Sequence, residues 1–306
     1  GWHVLFIGLT IFVVARGVKG GIERAASILM PLLFVVVCGL AIYASTLTGA
    51  GAGYAYYLRP DFTQVLSGKV LSEATGQAFF SLSLGMGAML TFASYLPKDS
   101  HLPKNSLTVA FADFAVAFTA GLMVFPMIFA FGLSGEVGES TMGALFITLP
   151  HAFQEMGGFT GQLIGVLFFG ALAVGALTST ISLLEVVTSS IIDTFGWSRR
   201  RAAVIMGTII AALGIPASLN SDILGLMDSV AEGIFLVVGA LGVSLFVGYV
   251  IKDPIKEASR GAPGWRGFSI WRLLLRVVVP ALLAFVLYNR IVDLAATIRD
   301  MISPAS

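Results

Sequence analysis

The chain has 306 residues, of which 57% are hydrophobic and 11% are charged, and its formal net charge is +1. Soluble domains carry about 25% charged residues, so this chain has too little charge to cover a surface that faces water. The mean hydropathy of +0.93 excludes an ordinary soluble enzyme, a disordered tail and a nucleic-acid-binding protein. With Cys38 as the sole cysteine, a disulfide framework or cysteine-based metal site is also excluded.

Eight segments are apolar enough to form membrane-spanning helices, which predicts an all-α polytopic protein. A helix needs about 20 apolar residues to cross, because hydrocarbon offers no water to open backbone groups. The predicted helices cover residues 1–15, 27–47, 74–96, 107–133, 160–192, 201–218, 223–251 and 270–290. The first is short and begins at Gly1 without an initiator methionine or a basic leader. We therefore expect that helices of the same protein precede it.

The basic residues predict the orientation of these helices. All but four of the 18 lysine and arginine residues lie in or beside the loops that follow the first, third, fifth and seventh helices. The other four are Arg59, Lys69, Arg290 and Arg299. Loops rich in lysine and arginine stay on the cytoplasmic side. The sequence therefore predicts a multi-pass protein of the cell membrane with its basic loops in the cytoplasm and its C-terminus outside.

The outer loop from Leu133 to Gly158 differs from the others in composition. It contains no lysine or arginine, but it holds Glu136, Glu139 and Glu155. Its centre, LFITLPHAFQEM, is too apolar for a solvated loop and too short to cross a membrane. Composition alone fits either an interfacial helix or a folded lid over an entrance.

The third predicted helix, ATGQAFFSLSLGMGAMLTFASYL, has small and polar residues at its centre. These residues are Ser81, Ser83, Gly85 and Gly87. One interpretation is close packing, because small residues allow membrane helices to approach each other. The other is an interrupted helix whose free backbone groups bind a ligand, an arrangement tolerated only around a cavity.

The fifth predicted helix contains a second polar cluster, GALTST, which begins at Gly175 and includes Thr178 and Ser179. Serine and threonine hydroxyls can bond to carbonyls of their own helix, so this cluster alone is ambiguous. Two such clusters in one bundle favour a site for a hard cation, because carbonyl and hydroxyl oxygens suit small hard ions.

Asp113 lies deep in the apolar stretch VAFADFAVAFTAGLMVF without a basic neighbour. A carboxylate at that depth costs several kcal/mol unless it is paired, protonated or bound to an ion. We interpret Asp113 as a cation ligand or a proton carrier, in preference to a protonated side chain held by the backbone. For the acids nearer helix ends, solvation or pairing is the simpler explanation. These acids are Glu185, Asp193, Asp228 and Glu232.

Three motifs resemble the neurotransmitter:sodium symporters, in particular their bacterial amino acid transporters. They are GQAFFSLSLGMGAMLTFASY in the third helix, GALTST in the fifth and FITLPHAF in the outer loop. The resemblance implies one transporter domain, residues 1–306, with the LeuT fold of five-plus-five inverted repeats. Residues 1–55 would be the last two helices of the first repeat, 74–251 the second repeat and 270–292 an additional C-terminal helix. The preceding helices would be missing from this chain.

The resemblance also implies which residues bind the substrate. The expected substrate-binding residues are Phe80, Ser81, Ser83, Met86, Ser179 and Leu183. Phe80 would be the ring that closes over the substrate. Several relatives have phenylalanine where this chain has Met86, and an adaptable methionine predicts a pocket for larger substrates.

Two sodium sites are implied in the full-length protein. Ser81 and Asp113 match one site, and the Gly175 carbonyl with the Thr178 and Ser179 hydroxyls matches the other. Chloride-dependent relatives have serine at position 117, and some chloride-independent relatives have glutamate, whereas this chain has alanine. Asp113, with Gln77 nearby, is therefore expected to compensate the sodium charge, so that chloride is not required.

The implied function is sodium-coupled import of neutral, hydrophobic or aromatic amino acids by alternating access. Tyr95 and Asp193 match a cytoplasmic latch, and Asp228 matches the acidic half of an outer gate. The basic partners of that gate belong to the first helix of the fold, which this chain lacks. The amino acid and the lipid bilayer are the expected partners, and nucleic acid is not one.

Three alternatives follow from the same residues. A proton-coupled transporter of the same fold would use Asp113 as its proton carrier. An intramembrane hydrolase would need a Ser–His, paired-Asp or HExxH site, but His3, His101 and His151 lie at predicted membrane ends or in loops, so we predict that the protein is not an enzyme. A silent homologue with a scaffold role is disfavoured by the intact sodium-site residues.

Overall fold

The computed structural model describes residues 1–65, 67–132, 146 and 149–302, and the regular structure within them is helical. The α-helices are α1 (Trp2–Ala15), α2 (Arg24–Ser45), α3 (Ala50–Leu58), α4 (Gly68–Ser81), α5 (Ala88–Ser94), α6 (Leu102–Ala130), α7 (Leu149–Glu155), α8 (Gly158–Phe195), α9 (Arg199–Leu219), α10 (Ser221–Val230), α11 (Val237–Leu245), α12 (Pro254–Ala258), α13 (Phe268–Leu273) and α14 (Val279–Ile302). Within the same residues, π-helical turns occur at Val18–Glu23, Ala231–Leu236, Phe246–Val250 and Leu274–Val278.

Six helices in the described part are long and apolar enough to cross a membrane. They are Gly21–Ser45, Leu102–Ala130, Gly158–Phe195, Arg199–Leu219, Ser221–Val250 and Phe268–Ala296. The last two are continuous because their π-helical turns join consecutive α-helices. The 14-residue α1 is apolar but shorter. These helices confirm the predicted all-α, multi-pass architecture.

The helices form two compact units. One consists of Gly1–Gly8, Phe62–Phe111 and Leu183–Ser306, and the other consists of Leu9–Asp61 and Ala112–Ser182. The long helix α8 contributes its first part to the second unit and its last part to the first.

In the unit that contains α4 and α5, the apolar core lies between α11 and α14. Its buried residues are Leu236, Val237, Ala240, Leu283 and Val286. Phe79 of α4 and Met86, which follows α4, pack against this cluster. The core therefore fixes the position of α4 and of the residues after it.

In the other unit, the core joins α2, α6, α7 and the start of α8. Its buried residues are Leu40, Ala44, Met123, Met127, Ile128, Leu149, Phe153, Ile164 and Phe168. The described part of the outer loop is thus a helix, α7, whose Leu149 and Phe153 are buried. Glu136 and Glu139, which entered the prediction for this loop, lie outside the described residues.

Candidate functional site

The predicted helix over residues 74–96 is interrupted at its centre. Helix α4 ends at Ser81 and α5 begins at Ala88. Between them, φ is +53° at Ser83, +88° at Gly85 and +82° at Gly87, which is the left-handed region. That region costs a residue with a side chain about 1–2 kcal/mol, so Ser83 holds backbone strain of the kind found at binding sites. The predicted interruption of this helix is confirmed, and ligand binding at it stays a prediction.

The break leaves backbone donors open. The amide of Ser83 donates to the Phe80 carbonyl at 2.9 Å, and that of Leu84 donates to the Phe79 carbonyl at 2.8 Å. The next three amides, at residues 85–87, donate no backbone hydrogen bond within the described part of the chain. Open amides in a membrane-spanning segment need a polar partner, and a ligand carboxylate is a suitable acceptor.

Two glycines hold this segment against a neighbouring helix. A Cβ atom at Gly85 would collide with the Leu236 carbonyl, and one at Gly239 would collide with the Gly85 carbonyl. The backbone after α4 therefore lies directly on the span Ser221–Val250, with no room for a side chain at either contact. This close approach keeps the open amides in a defined position.

The side chains at the break divide into two groups. Phe80 is 45% exposed, and Ser81 is also exposed, so a ligand can reach both. Ser83 is half-buried. Met86 is half-buried as well, and it packs against the apolar core beside Leu236. Phe80 and Ser81 are thus exposed at the break, whereas Met86 packs against the apolar core.

The second predicted cluster brings three oxygen atoms together on α8. The Thr178 hydroxyl donates to the Gly175 carbonyl at 2.8 Å, and the Ser179 hydroxyl donates to the same carbonyl at 3.1 Å. Thr178 is 7% exposed, whereas Ser179 is exposed. These are the three groups expected to bind one sodium ion. As oxygen donors they suit a small hard cation, and rotation of the two O–H bonds would release their lone pairs for it.

The other predicted residues divide between the two units. Gln77 is exposed on α4, about one turn before Ser81, and Leu183 is 46% exposed on α8, about one turn after Ser179. Asp113 is half-buried on α6, about one turn before the exposed Ala117. Gln77 and Leu183 belong to the unit that contains the break, and Asp113 belongs to the unit that contains the GALTST cluster.

A buried ion pair lies where α5, α8 and α9 meet. The Tyr95 hydroxyl donates to Oε1 of Glu185 at 2.6 Å. Nη1 of Arg199 donates to Oε1 at 2.9 Å and to Oε2 at 2.7 Å. The Glu185 side chain is fully buried, and that of Arg199 is 28% exposed. Charge-assisted hydrogen bonds of this length are strong, so the three side chains tie three helices together.

This cluster contains one residue of the predicted latch, Tyr95. Its hydroxyl is bonded to Glu185, and the pairing of Tyr95 with Asp193 stays a prediction. Asp193 lies about two turns further along α8 and is exposed. Sequence reasoning missed the role of Arg199. A signal was present, since an acid inside an apolar helix needs a cation and three arginines begin the next helix.

Comparison with known proteins decides the family. Residues 2–305 match the sequence profile of the "Sodium:neurotransmitter symporter family". The chain belongs to the sodium:neurotransmitter symporter family. Two relatives of this family are named as sodium-dependent transporters, which agrees with the prediction that the protein is not an enzyme.

The relatives are longer than this chain. An uncharacterised sodium-dependent transporter of Haemophilus influenzae is 32% identical over 302 residues, which are 95% of this chain and 65% of the relative. One from Methanocaldococcus jannaschii is 33% identical over 294 residues, covering 92% of this chain and 58% of the relative. The chain thus spans less than two thirds of the length of these curated relatives.

A solved member of the family has the same fold. The crystal structure of MhsT in complex with L-phenylalanine is 40% identical, with a TM-score of 0.83 over 94% of this chain and 67% of that chain. The LeuT-like fold is therefore confirmed for this chain.

Near the end of α10, Asp228, the predicted outer-gate residue, is exposed. Glu232 follows about one turn later and is half-buried. Arg290 of α14 reaches this region, since its Cβ lies 3.6 Å from a Cβ built on Gly233, and its Nη2 lies 3.0 Å from one built on Gly76. The sequence analysis placed Arg290 at the outer end of the predicted helix 270–290 and gave no sign that its side chain packs over these two glycines.

Proposed function

We propose that the protein is a sodium-coupled symporter that imports a neutral, hydrophobic or aromatic amino acid by alternating access. The observation that carries this proposal is the interrupted helix α4–α5. A membrane-spanning helix with open amides is a binding element, and Phe80 and Ser81 are exposed beside these amides. The relative MhsT was solved with L-phenylalanine, which supports an aromatic substrate.

In this proposal, the backbone at the break and Ser81 receive the carboxylate end of the substrate. Phe80 closes over the substrate, and Ser83, Met86, Ser179 and Leu183 line the side-chain pocket. Met86 packs against the apolar core beside Leu236. In this proposal it forms the side of the pocket that is nearest to that core. The break supplies polar recognition, and the apolar side chains select a hydrophobic substrate.

Two sodium ions provide the coupling. Gly175, Thr178 and Ser179 ligate one ion with a carbonyl and two hydroxyl oxygens. Ser81 and Asp113 ligate the other, and the Asp113 carboxylate, supported by Gln77, supplies the negative charge that chloride gives to some relatives. Binding of the ions favours the substrate-binding state, and their gradient drives import.

The basic loops face the cytoplasm and the C-terminus lies outside. Tyr95 and Asp193 are then on the cytoplasmic side, and Asp228 is at the outer gate. Glu185 and Arg199, bonded to Tyr95, extend the cytoplasmic contact. The orientation is supported by the distribution of lysine and arginine, which cluster beside alternate loops.

A second candidate is proton-coupled import, and Asp113 favours it. This carboxyl group is half-buried within an apolar helix, a position in which protonation relieves the cost of a buried charge. Proton coupling predicts transport that follows the pH gradient and ignores sodium.

Binding of radiolabelled amino acids to the purified full-length protein tests the proposal. We expect phenylalanine to bind in sodium chloride and not in choline chloride. In competition, tryptophan, phenylalanine and leucine should displace the label at concentrations at least about tenfold lower than alanine, because a larger apolar side chain buries more surface. Equal binding in both salts would contradict sodium coupling, and equal potency of the four amino acids would contradict the substrate class.

A further inference from the structure

The connection between the last two membrane spans has an excess of positive charge. From Lys252 to Arg276 the chain contains six basic residues and two acidic residues. Glu257 neutralises one of the basic residues, since it lies 2.9 Å from Arg260. The remaining charge is predominantly positive, and it lies next to an apolar span that begins at Phe268.

Two of these arginines, Arg272 and Arg276, lie inside this span. The side chain of Arg276 is bonded to other groups of the protein. Nε of Arg276 donates to the Gly248 carbonyl at 2.6 Å, and its guanidinium lies 5.4 Å from the centre of the Tyr249 ring. The Tyr249 hydroxyl donates to the Arg276 carbonyl at 2.9 Å. Arg276 therefore joins the end of one span to the beginning of the next.

Arg272 lies about one turn before Arg276 and has no such partner. Its Nε is buried and makes no hydrogen bond within the described part of the chain. Buried polar groups in folded proteins nearly always have a partner, and a donor without one costs about 1–3 kcal/mol. Arg272 as a whole is half-buried, so a change of its side-chain rotamer would bring the guanidinium to an oxygen acceptor outside the chain and remove this cost. The planar guanidinium fork matches the geometry of a phosphate group.

The surroundings of Arg272 resemble those expected at the level of lipid headgroups. Trp265 packs edge-on against Phe268 with a ring separation of 4.6 Å, and Phe268 packs edge-on against Trp271 at 6.2 Å. Tryptophan is enriched where a membrane meets water. An arginine near the end of a span extends its charge toward the same layer. The phosphate in that layer belongs to phospholipids.

We propose that Arg272 and the Trp265–Phe268–Trp271 cluster form a binding site for the phosphate of an anionic phospholipid headgroup. The guanidinium of Arg272 binds the phosphate, Trp271 packs against the adjoining glycerol and acyl region, and the basic residues of the 252–267 connection add attraction. Basic pockets beside membrane helices bind anionic lipids in this way. The site is independent of the proposed substrate and sodium residues.

The test measures how many phosphatidylglycerol molecules the full-length protein retains. The protein is purified from nanodiscs of phosphatidylcholine with phosphatidylglycerol, and the retained lipid is counted by native mass spectrometry. We expect Arg272→Gln to bind phosphatidylglycerol about tenfold more weakly than the unmodified protein, because it loses a charge-assisted contact. Arg272→Lys should also bind more weakly, since it keeps the charge but loses the fork. The control Lys104→Gln, at an exposed position of α6 outside this connection, should change little.

Equal retention by Arg272→Gln and the unmodified protein would overturn the proposal. Inorganic phosphate, added to the unmodified protein in pure phosphatidylcholine nanodiscs, separates the two sources of phosphate: binding as tight as that of phosphatidylglycerol would contradict a lipid site. If the variants do not fold, crosslinking of photoactivatable phosphatidylglycerol to the unmodified protein still tests whether the lipid binds at this site. Crosslinks should fall within residues 265–276, and crosslinks confined to other parts of the chain would overturn the proposal.

Discussion

At the scale of single residues, the proposed sodium coupling depends on oxygen atoms that already lie together. The Gly175 carbonyl accepts from both Thr178 and Ser179, so the three groups need little rearrangement to face one cation. A preorganised set of ligands binds more tightly than one that must assemble on binding. Each hydroxyl should therefore contribute measurably to sodium affinity.

Removal of either hydroxyl should weaken sodium-dependent binding of phenylalanine. For Thr178→Ala or Ser179→Ala, the sodium concentration needed for half-maximal binding should rise by about tenfold, because a contact to a charged group is worth about 1.5–3 kcal/mol. The matched control is Ser189→Ala, since the Ser189 hydroxyl also bonds to its own helix, at Val186, outside the cluster. Unchanged sodium dependence in both variants would contradict the site.

Asp113 carries the prediction about chloride. Uncompensated charge is costly in an apolar site, and a carboxylate can replace a bound anion. Sodium-driven uptake by the unmodified protein should be equal in chloride and in gluconate, and Asp113→Asn should impair it. Asp113→Asn combined with Ala117→Ser should make the remaining uptake depend on chloride. If the unmodified protein loses uptake in gluconate, Asp113 does not replace the anion.

The ion pair of Glu185 should contribute to stability. Glu185→Gln leaves Arg199 without its charge partner, and Arg199 is only partly exposed, so we expect a loss on the order of 2 kcal/mol and a lower Tm in a thermal unfolding experiment. The control is Arg260→Gln, because the Arg260–Glu257 pair is exposed by 52% and 65% and such pairs contribute about 0–1 kcal/mol. A Tm for Glu185→Gln as high as that of the control would show that the buried pair is not stabilising.

At the scale of elements, hydropathy predicts the long helices well because a membrane helix must be apolar over its whole length. Composition also located the break between α4 and α5, since Ser81, Ser83, Gly85 and Gly87 lie at it. Composition could not decide between a break and close packing, because glycine serves both. That choice depends on backbone angles and on the contact between Gly85 and the Leu236 carbonyl.

The pairing of side chains was harder to predict than the helices. Glu185 and Asp193 are both acids of α8, and their positions in the sequence do not show which of them faces Tyr95. The sequence likewise gave no indication that the Arg290 side chain packs over Gly76 and Gly233. The π-helical turns were not predicted either, since they follow from hydrogen bonds between turns rather than from a residue pattern.

The close approach at Gly85 predicts the effect of one methyl group. Gly85→Ala adds a Cβ at φ +88° and also directs it into the Leu236 carbonyl, so it should lower the Tm and abolish amino acid binding. The control Gly196→Ala has φ +65° and nothing within 4 Å, so it should show only the backbone strain of about 1–2 kcal/mol. Similar Tm values and normal amino acid binding in both variants would contradict the packing at the break.

At the scale of the whole molecule, the proposed function needs a broken membrane helix, a cluster of hard oxygen ligands and gates on the two sides of the membrane. Alternating access requires that these parts respond to one another, so that sodium binding changes the population of outward-open and inward-open states. Coupling of this kind is a property of the full-length protein. It appears as accumulation of substrate against its own gradient.

Accumulation of phenylalanine in proteoliposomes containing the full-length protein is the direct test of sodium-coupled import. With high sodium outside and low sodium inside, internal phenylalanine should rise above its external concentration, and it should return to equality when gramicidin dissipates the sodium gradient. An imposed pH gradient without sodium should produce no accumulation. Accumulation driven by the pH gradient alone, or no accumulation above the external concentration under a sodium gradient, would contradict sodium-coupled symport.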